Sequence, residues 1–198
     1  MTGSRDEVTA VVLVGGGSVR MGRDKATLVP DDGDPRALAQ RVLDTLSTVA
    51  RHSLLAGPAL PGLDHVPAVP DRNTTAGPLA GVTAALAVVR TPLAVVAACD
   101  MPSIVPALVA DLLHRARANP QALCVLCATE QGPEPLLSVW RPAAAELLDA
   151  ALDAGVRALR DAVARLPHVL LTLAEWRVLD PAGASFANWN FPTDLPRS

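Results

Sequence analysis

Apolar and polar positions form blocks that predict strands and helices in turn. Continuous runs of apolar and β-branched residues are typical of strands buried on both faces of a sheet. Such runs predict strands at 8–14, 52–57, 91–100, 121–129, 135–140 and 168–173, and a further short strand near His65. Most of these segments are separated by stretches with helical spacing or by turn residues, so the runs indicate several short strands.

Helices are predicted between these strands. Leu38, Val42, Leu46 and Val49 recur at helical spacing within 35–50. Three further helical segments are 79–90 after Pro78, 102–120 after a serine cap at Ser103, and 143–166 as two helices broken near Gly155. The tail at 185–197 is predicted to be loop with a short turn. Strands that alternate with helices indicate an α/β fold with a mostly parallel sheet, here as one domain over 1–198.

Composition narrows the class of protein. The 198-residue chain has a formal net charge of -3, which gives no electrostatic reason to expect nucleic acid or an anionic membrane as partner. Its apolar runs are shorter than the roughly 20 residues that cross a bilayer. Three cysteines do not make a disulfide framework. We therefore expect a soluble, cytoplasmic protein.

The segment VGGGSVRMGRDK, at 14–25, follows the first predicted strand and combines glycines with cations. A Walker A loop is excluded, because Arg23 and Asp24 stand where lysine and a hydroxyl residue belong. An ordinary dinucleotide fingerprint is excluded by Arg20 at its third glycine position. Glycine backbone can approach phosphates closely, and Lys25 and the arginines can neutralise them, so the segment predicts a polyphosphate-binding loop. The alternative is a turn with solvated charges.

The longer stretch LVGGGSVRMGRDKATL resembles the signature of the molybdenum cofactor guanylyltransferases and their nucleotidyltransferase relatives. The matching positions are Leu13, Gly15, Gly16, Ser18, Arg20, Met21, Gly22, Asp24, Lys25 and Leu28. Three further stretches follow in that family's order, namely DRNTTAGPLAGVTAAL at 71–86, AACDMP at 97–102 and FANWNFPTDL at 186–195. The four motifs are spread along the sequence, so the resemblance covers nearly the whole chain.

The resemblance implies a fold and a reaction. The fold is a three-layer α/β/α sandwich with a Rossmann-like, mostly parallel sheet, of the nucleotide-diphospho-sugar-transferase type. The reaction transfers GMP from GTP to molybdopterin or the molybdenum cofactor, with Mg²⁺ as cofactor and release of pyrophosphate. Contact with other molybdenum-cofactor proteins is also expected. A phosphate acceptor is already ionised near pH 7, so positioning and charge neutralisation are required rather than a strong base.

The resemblance also implies catalytic residues. A hard carboxylate at a strand end suits Mg²⁺, which makes Asp100 the expected metal ligand. The alternative for Asp100 is a cap of the following helix. Lys25 is expected to contact the triphosphate. Arg20 is expected to help with phosphates, or instead to brace the loop against Asp24.

By the same resemblance, the nucleotide is expected to contact two further parts of the chain besides the catalytic residues. Backbone groups of Leu13, Val14 and Gly15 should meet the base. The full expected set is Leu13, Val14, Gly15, Gly16, Gly17, Ser18, Lys25, Asp71, Gly77 and Asp100. The alternatives are a solvated carboxylate for Asp71 and ordinary helix entry for Gly77.

The resemblance implies that Asn188 and Asn190 bind the acceptor, because the matching segment faces the acceptor in that family. In an extended segment two residues this far apart point to the same side, and amides both donate and accept hydrogen bonds. The alternative is a plain turn. The sequence departs from the family's pattern at Val14, Gly17, Glu134 and Phe191, close to the expected base or acceptor. Substrate identity is therefore left more open than reaction type.

Three alternatives to the guanylyltransferase follow. The chain could be a cytidylyltransferase for the same pterin, a nucleotidyltransferase for another phosphorylated acceptor, or a non-catalytic nucleotide-binding protein. The presence of Arg20, Lys25 and Asp100 favours an enzyme. Cys124 and Cys127 have metal-like spacing, but a single pair in an apolar run favours buried apolar cysteines.

Overall fold

A seven-stranded sheet lies at the centre of the fold, in a computed structural model that describes residues 4–15, 25–70 and 77–189. The strands are β1 (Val8–Leu13), β2 (His52–Ala56), β3 (Ala68–Val69), β4 (Leu93–Ala98), β5 (Cys124–Thr129), β6 (Gly132–Trp140) and β7 (His168–Leu171). Their spatial order is β3-β2-β1-β4-β6-β5-β7. Only β6 runs antiparallel to its neighbours, so the predicted mostly parallel sheet is confirmed.

Helices cover both faces of this sheet. They are α1 (Leu38–Leu46), α2 (Gly77–Val88), α3 (Pro106–Ala118), α4 (Ala144–Asp153), α5 (Leu159–Val163) and α6 (Leu173–Trp176). The core on one face includes residues of α1, α3 and α6, and the core on the other includes residues of α2, α4 and α5. The expected α/β/α sandwich is thus confirmed. None of the helices in the described ranges is long and apolar enough to span a bilayer.

The central strands explain the continuous apolar runs in the sequence. Every residue of β1 and of β4 is buried. Within β1, Ala10 and Val12 face the core of α1 and α3, whereas Val11 and Leu13 face the core of α2 and α4. Both faces of the strand must therefore be apolar. Full burial of each valine or leucine contributes about 1.5–3 kcal/mol to stability.

The start of α3 differs from the prediction. Val105 is the residue before the helix, and no side chain caps the helix there. Ser103, the predicted cap, lies in the preceding turn. Pro106 occupies the first helical turn, where its fixed φ and its missing N–H are both tolerated, so the helix begins at Pro106 rather than after Ser103.

Other boundaries shift by a few residues. The helix predicted over 35–50 is confined to α1, and the strand predicted to end at Asp100 ends at Ala98. The short strand expected near His65 lies slightly later, at β3. The four-residue helix α6 was not predicted, because it is too short to show helical periodicity. Its signal is the capping box formed by Thr172 and Glu175.

Three segments that carry candidate functional residues meet at one edge of the sheet. Leu13 is paired with Ala98, so β1 and β4 end side by side. The chain that follows β1 and the turn that follows β4 therefore leave the sheet together. Because β6 is antiparallel to β4, the first residues of β6 lie at the same edge. Ligands of open α/β sheets bind at the carboxyl ends of their parallel strands.

Candidate active site

The end of β1 is held firmly against its two neighbours. The Cys99 N–H donates to the Leu13 carbonyl oxygen (3.1 Å), and the Val14 N–H donates to the Ala56 carbonyl oxygen (2.9 Å). The side chains of Leu13 and Val14 are buried, whereas Gly15 is exposed. The residues that precede the glycine-rich segment are therefore held in place by backbone hydrogen bonds to β2 and to the end of β4.

Gly57, at the end of β2, is a site-forming residue that the sequence analysis did not single out. Its φ is +132°, and a Cβ at this position would lie 2.6 Å from the Val14 carbonyl oxygen. A side chain would therefore push the end of β1 out of place. The Gly-Pro pair that closes the second predicted strand was the available signal.

Lys25 and Asp100 meet at this edge although 75 residues separate them in sequence. The Lys25 Nζ donates to the Asp100 Oδ2 over 3.3 Å, and each side chain is 20% exposed. Lys25 lies in a 3₁₀ turn (Lys25–Thr27), and Asp100 lies in the turn after β4. Two of the three predicted catalytic residues are thus in contact, and the third, Arg20, is outside the described residues.

The alternative interpretation of Asp100 as a helix cap is excluded. α3 begins six residues later, at Pro106, and Val105 precedes it. The Asp100 carboxylate is thus not used to satisfy the N-terminal N–H groups of α3. It is partly accessible and ion-paired with Lys25, which leaves it able to bind a cation.

The first residues of the tail contact the same turn. The Trp189 N–H donates to the Asp100 carbonyl oxygen over 2.9 Å. This bond brings the exposed residue Asn188 to the edge that carries Lys25 and Asp100. Its predicted partner Asn190 is outside the described residues.

Glu134 adds a half-buried carboxyl group to this edge. Its Oε1 accepts a hydrogen bond from the Leu136 N–H over 2.9 Å. Burial raises the pKa of Glu134, and the nearby negative charge of Asp100 acts in the same direction. The hydrogen bond and the positive charge of Arg160 oppose this rise in pKa. The edge therefore has the Lys25–Asp100 ion pair on one side and a carboxyl group with a raised pKa on the other.

A comparison with known proteins defines the family. The family model described as the MobA-like NTP transferase domain matches residues 10–169. The chain belongs to this family. The matched region runs from the middle of β1 through β6 and includes the Asp100 turn, so the match covers most of the site described above.

Curated relatives of similar length support the assignment to the MobA-like family. A probable molybdenum cofactor guanylyltransferase from Chloroflexus aggregans is 33% identical over 191 residues, covering 95% of this chain and 91% of that protein. One from Natronomonas pharaonis is 34% identical over 207 residues, covering 97% and 96%. Among solved structures, molybdopterin-guanine dinucleotide biosynthesis protein A from Archaeoglobus fulgidus has a TM-score of 0.76 at 27% identity, covering 94% of both chains.

Several expected binding residues of this MobA-like chain are outside the described residues. They are Gly16, Gly17, Ser18, Arg20, Asp71 and Asn190. Gly77 is described and forms the first residue of α2 with φ at +54°, a conformation that favours glycine. This geometry accounts for the glycine by helix entry alone, and its contact with a nucleotide stays a prediction.

The Asp100 carboxylate is a donor of the kind that hard divalent cations such as Mg²⁺ bind. No cluster of three or more His, Cys, Asp or Glu side chains suited to a metal ion occurs in the described ranges. Mg²⁺ does not need such a cluster, because it binds through one or two carboxylates and keeps waters and phosphate oxygens as its other ligands. A single accessible carboxylate beside a lysine satisfies this requirement.

Cys124 and Cys127 do not form a metal site. Both are buried in β5, but they face the two opposite cores of the sandwich. Burial raises the pKa of the Cys127 thiol to about 12, which keeps it protonated. The interpretation of this pair as buried apolar cysteines is confirmed.

Proposed function

We propose that this chain transfers GMP from GTP to molybdopterin or the molybdenum cofactor and releases pyrophosphate. The family supports nucleotidyl transfer, and the names of the curated relatives support this particular donor and acceptor. The observation that carries the proposal is the contact between Lys25 and Asp100 at the carboxyl ends of β1 and β4. This contact brings together a cation that would bind phosphate and a carboxylate that would bind Mg²⁺.

The proposed reaction needs no strong base. An oxygen of the acceptor phosphate attacks the α-phosphorus of GTP and forms a new P–O bond. The bond from the α-phosphorus to the bridging oxygen breaks, and pyrophosphate leaves with that electron pair. Because the attacking phosphate is already ionised near neutral pH, catalysis consists of alignment and stabilisation of charge.

Lys25 and Asp100 supply charges of opposite sign for this task. The Lys25 Nζ would turn from Asp100 to the triphosphate, where a compact cation stabilises charge on phosphate oxygens. Asp100 would hold Mg²⁺. When bound, Mg²⁺ would neutralise negative charge on the phosphates. Backbone groups of Leu13, Val14 and Gly15 would contact the base at the fixed end of β1.

The acceptor would lie on the far side of Asp100 from β1. The sheet order puts β6 beside β4, away from β1 and β2, and Asn188 is attached to the Asp100 turn. Asn188 can donate to a phosphate or a pterin oxygen through its amide group. Glu134, at the start of β6, would face the same substrate.

The first experiment is calorimetric titration of the protein with GTP, CTP and ATP, each with Mg²⁺ and each without. We expect selective, Mg²⁺-dependent binding of GTP. A pyrophosphate-release assay with GTP and molybdopterin should then give turnover only when both substrates are present. As a control variant, Asp149→Asn changes an exposed carboxylate on α4 and should bind GTP and release pyrophosphate as the wild type does.

Each other outcome would replace part of the proposal. Selective binding of CTP would indicate cytidylyl transfer with the same scaffold. Binding of GTP without any release of pyrophosphate in the presence of molybdopterin would contradict the proposed acceptor, and would favour a different phosphorylated acceptor or a non-catalytic role.

A further inference from the structure

Asp180 and Ser185 form a buried polar pair that the proposed mechanism does not use. Asp180 is 2% exposed and Ser185 is fully buried. The Asp180 Oδ1 accepts from the Ala184 N–H (2.9 Å), and its Oδ2 accepts from the Ser185 N–H (2.8 Å). The carboxylate therefore holds the 3₁₀ turn Ala184–Phe186 by two hydrogen bonds to its backbone.

Ser185 joins this turn to the chain that carries Asp100. Its Oγ accepts a hydrogen bond from the Val105 N–H over 2.9 Å, across 80 residues of sequence. Val105 precedes the first helical residue of α3, so its N–H has no partner within the helix. The hydroxyl of Ser185 satisfies a group that would otherwise be unpaired in a partly buried position.

The connection between the two segments has two points of attachment. Ser185 is bonded to Val105 at the end of the turn 100–105, and the Trp189 N–H is bonded to the Asp100 carbonyl oxygen at its beginning. Asn188 lies between the two attached residues, Ser185 and Trp189. Its distance from the Asp100 carboxylate is therefore set by both bonds.

We propose that Ser185 is a positioning residue, which holds Asn188 and Asp100 in a fixed relation on one edge of the sheet. Asp180 supports Ser185 by fixing the turn in which it lies. The role assigned to Asn188 rests on the proposed function, whereas the attachment of the segment to the turn does not. Asp100 is also held to β1, because the N–H of its neighbour Cys99 donates to the Leu13 carbonyl oxygen. Loss of the Ser185 hydroxyl should therefore displace Asn188 relative to Asp100, which weakens acceptor binding and leaves GTP bound at β1.

The test uses Ser185→Ala with a matched control at the other end of the sheet. Thr9, 7% exposed near the start of β1, shares a hydrogen bond with Thr91 over 2.8 Å, so Thr9→Val also removes a buried bonded hydroxyl. For Ser185→Ala we expect the KM for molybdopterin to rise about 10-fold, the loss typical of one hydrogen bond, with the Kd for GTP unchanged. Thr9→Val should change neither constant.

Amide hydrogen exchange provides a readout that needs no acceptor. In Ser185→Ala the amides of Val105 and Trp189 should exchange faster, while amides in β1 and β4 keep their protection. Asp180→Asn retains the shape of the side chain and should give the same pattern if the alanine variant fails to fold. These exchange rates test the attachment even if the wild-type protein does not transfer GMP to molybdopterin.

A double-mutant cycle assigns the effect to Asn188. Asn188→Ala should raise the KM for molybdopterin. The double variant with Ser185→Ala and Asn188→Ala should show a smaller effect than the sum of the two single effects. Two results would overturn the proposal. One is unchanged exchange of Val105 and Trp189 in Ser185→Ala. The other is a parallel loss of GTP affinity and stability of the kind that a general structural defect produces.

Discussion

The two sides of the candidate site differ in how their residues are brought together. The β1 side consists of Leu13, Val14, Gly15 and Lys25, which lie within 13 positions of one another in sequence. The tail side consists of the segment 180–189, which is attached to the turn 100–105 by hydrogen bonds, and of Glu134, which lies in β6 beside β4. Asp100 lies between the two sides and contacts both, through its carboxylate and its carbonyl oxygen respectively.

This difference has a functional meaning under the proposed reaction. The residues of the β1 side lie close together in sequence, so one short motif supplies most of the groups proposed to bind the nucleotide. The tail side depends on contacts between segments far apart in sequence, so its shape can change with the acceptor while that motif is kept. Variants on the two sides should consequently separate nucleotide binding from acceptor binding.

Asp100→Asn should give the largest effect, because Asp100 is the residue that both sides share. We expect turnover to fall by at least about 100-fold, since bound Mg²⁺ would lose its carboxylate ligand. The hydrogen bond from Trp189 uses the Asp100 backbone, so the fold should be retained. Turnover is measured by pyrophosphate release and folding by circular dichroism. Near wild-type turnover in Asp100→Asn would remove the metal-binding role from this residue.

Lys25→Met should give the second-largest effect and should be confined to the β1 side. We expect a loss of about 10- to 100-fold in kcat/KM for GTP, because a cation on the phosphates is removed, with a smaller change in the KM for the acceptor. Lys25→Arg serves as the charge-retaining control. Equal losses for both substrates would contradict the separation of the two sides.

Lys25 also allows a test without mutation, because it is the one lysine of the chain, and the other sixteen of its seventeen Lys and Arg residues are arginines. An amine-reactive reagent can therefore modify only Lys25 and the N-terminus. Bound GTP with Mg²⁺ should slow the modification of Lys25, as measured by peptide mass spectrometry. Modification of the N-terminus is the internal control. Equal rates with and without GTP would argue against contact with the triphosphate.

Glu134→Gln should give the smallest effect and should sharpen the description of the tail side. Burial raises the pKa of Glu134 above its ordinary value of 4.5, so the folded state holds the proton more tightly than the unfolded state. Below pH 4.5 the carboxyl is protonated in both states, and its contribution to stability is fully present. That contribution is lost as the pH rises through the folded-state pKa. Glutamine does not ionise and keeps the oxygen that accepts from Leu136.

The variant should therefore be more stable than the wild type at pH 7, by a few degrees in Tm at most, and this difference should shrink at pH 4. Thermal unfolding at the two pH values is the measurement. Glu146→Gln, on the exposed surface of α4, is the control that should show no such gain. A lower Tm for Glu134→Gln at pH 7 would show that the ionised carboxylate stabilises the fold.

The predictions made from sequence succeeded for long elements with a clear pattern and failed at a helix boundary and at a very short helix. Apolar runs located β1 and β4 to within one or two residues, because strands covered on both faces exclude polar side chains. The serine cap of α3 was wrong, because Pro106 at the helix start overrides a nearby capping residue. α6 was missed because four residues carry no period.

At the candidate site, the sequence singled out Lys25 and Asp100 separately, on the glycine-rich signature and on a carboxylate predicted at a strand end. It did not reveal that the two side chains are in contact, since that contact depends on β1 and β4 being neighbours in the sheet. Nor did it single out Gly57, whose role depends on the distance to the Val14 backbone.

The sequence by itself determined the α/β class and the residue types of the nucleotide-binding motifs, because both depend on adjacent residues and local periodicity. Only the tertiary structure decided that Ser185 is bonded to Val105, that Trp189 is bonded to Asp100 and that Glu134 is half-buried at the same edge. These features depend on strand order and on packing between segments tens of residues apart, which the spacing of residues along the chain does not specify.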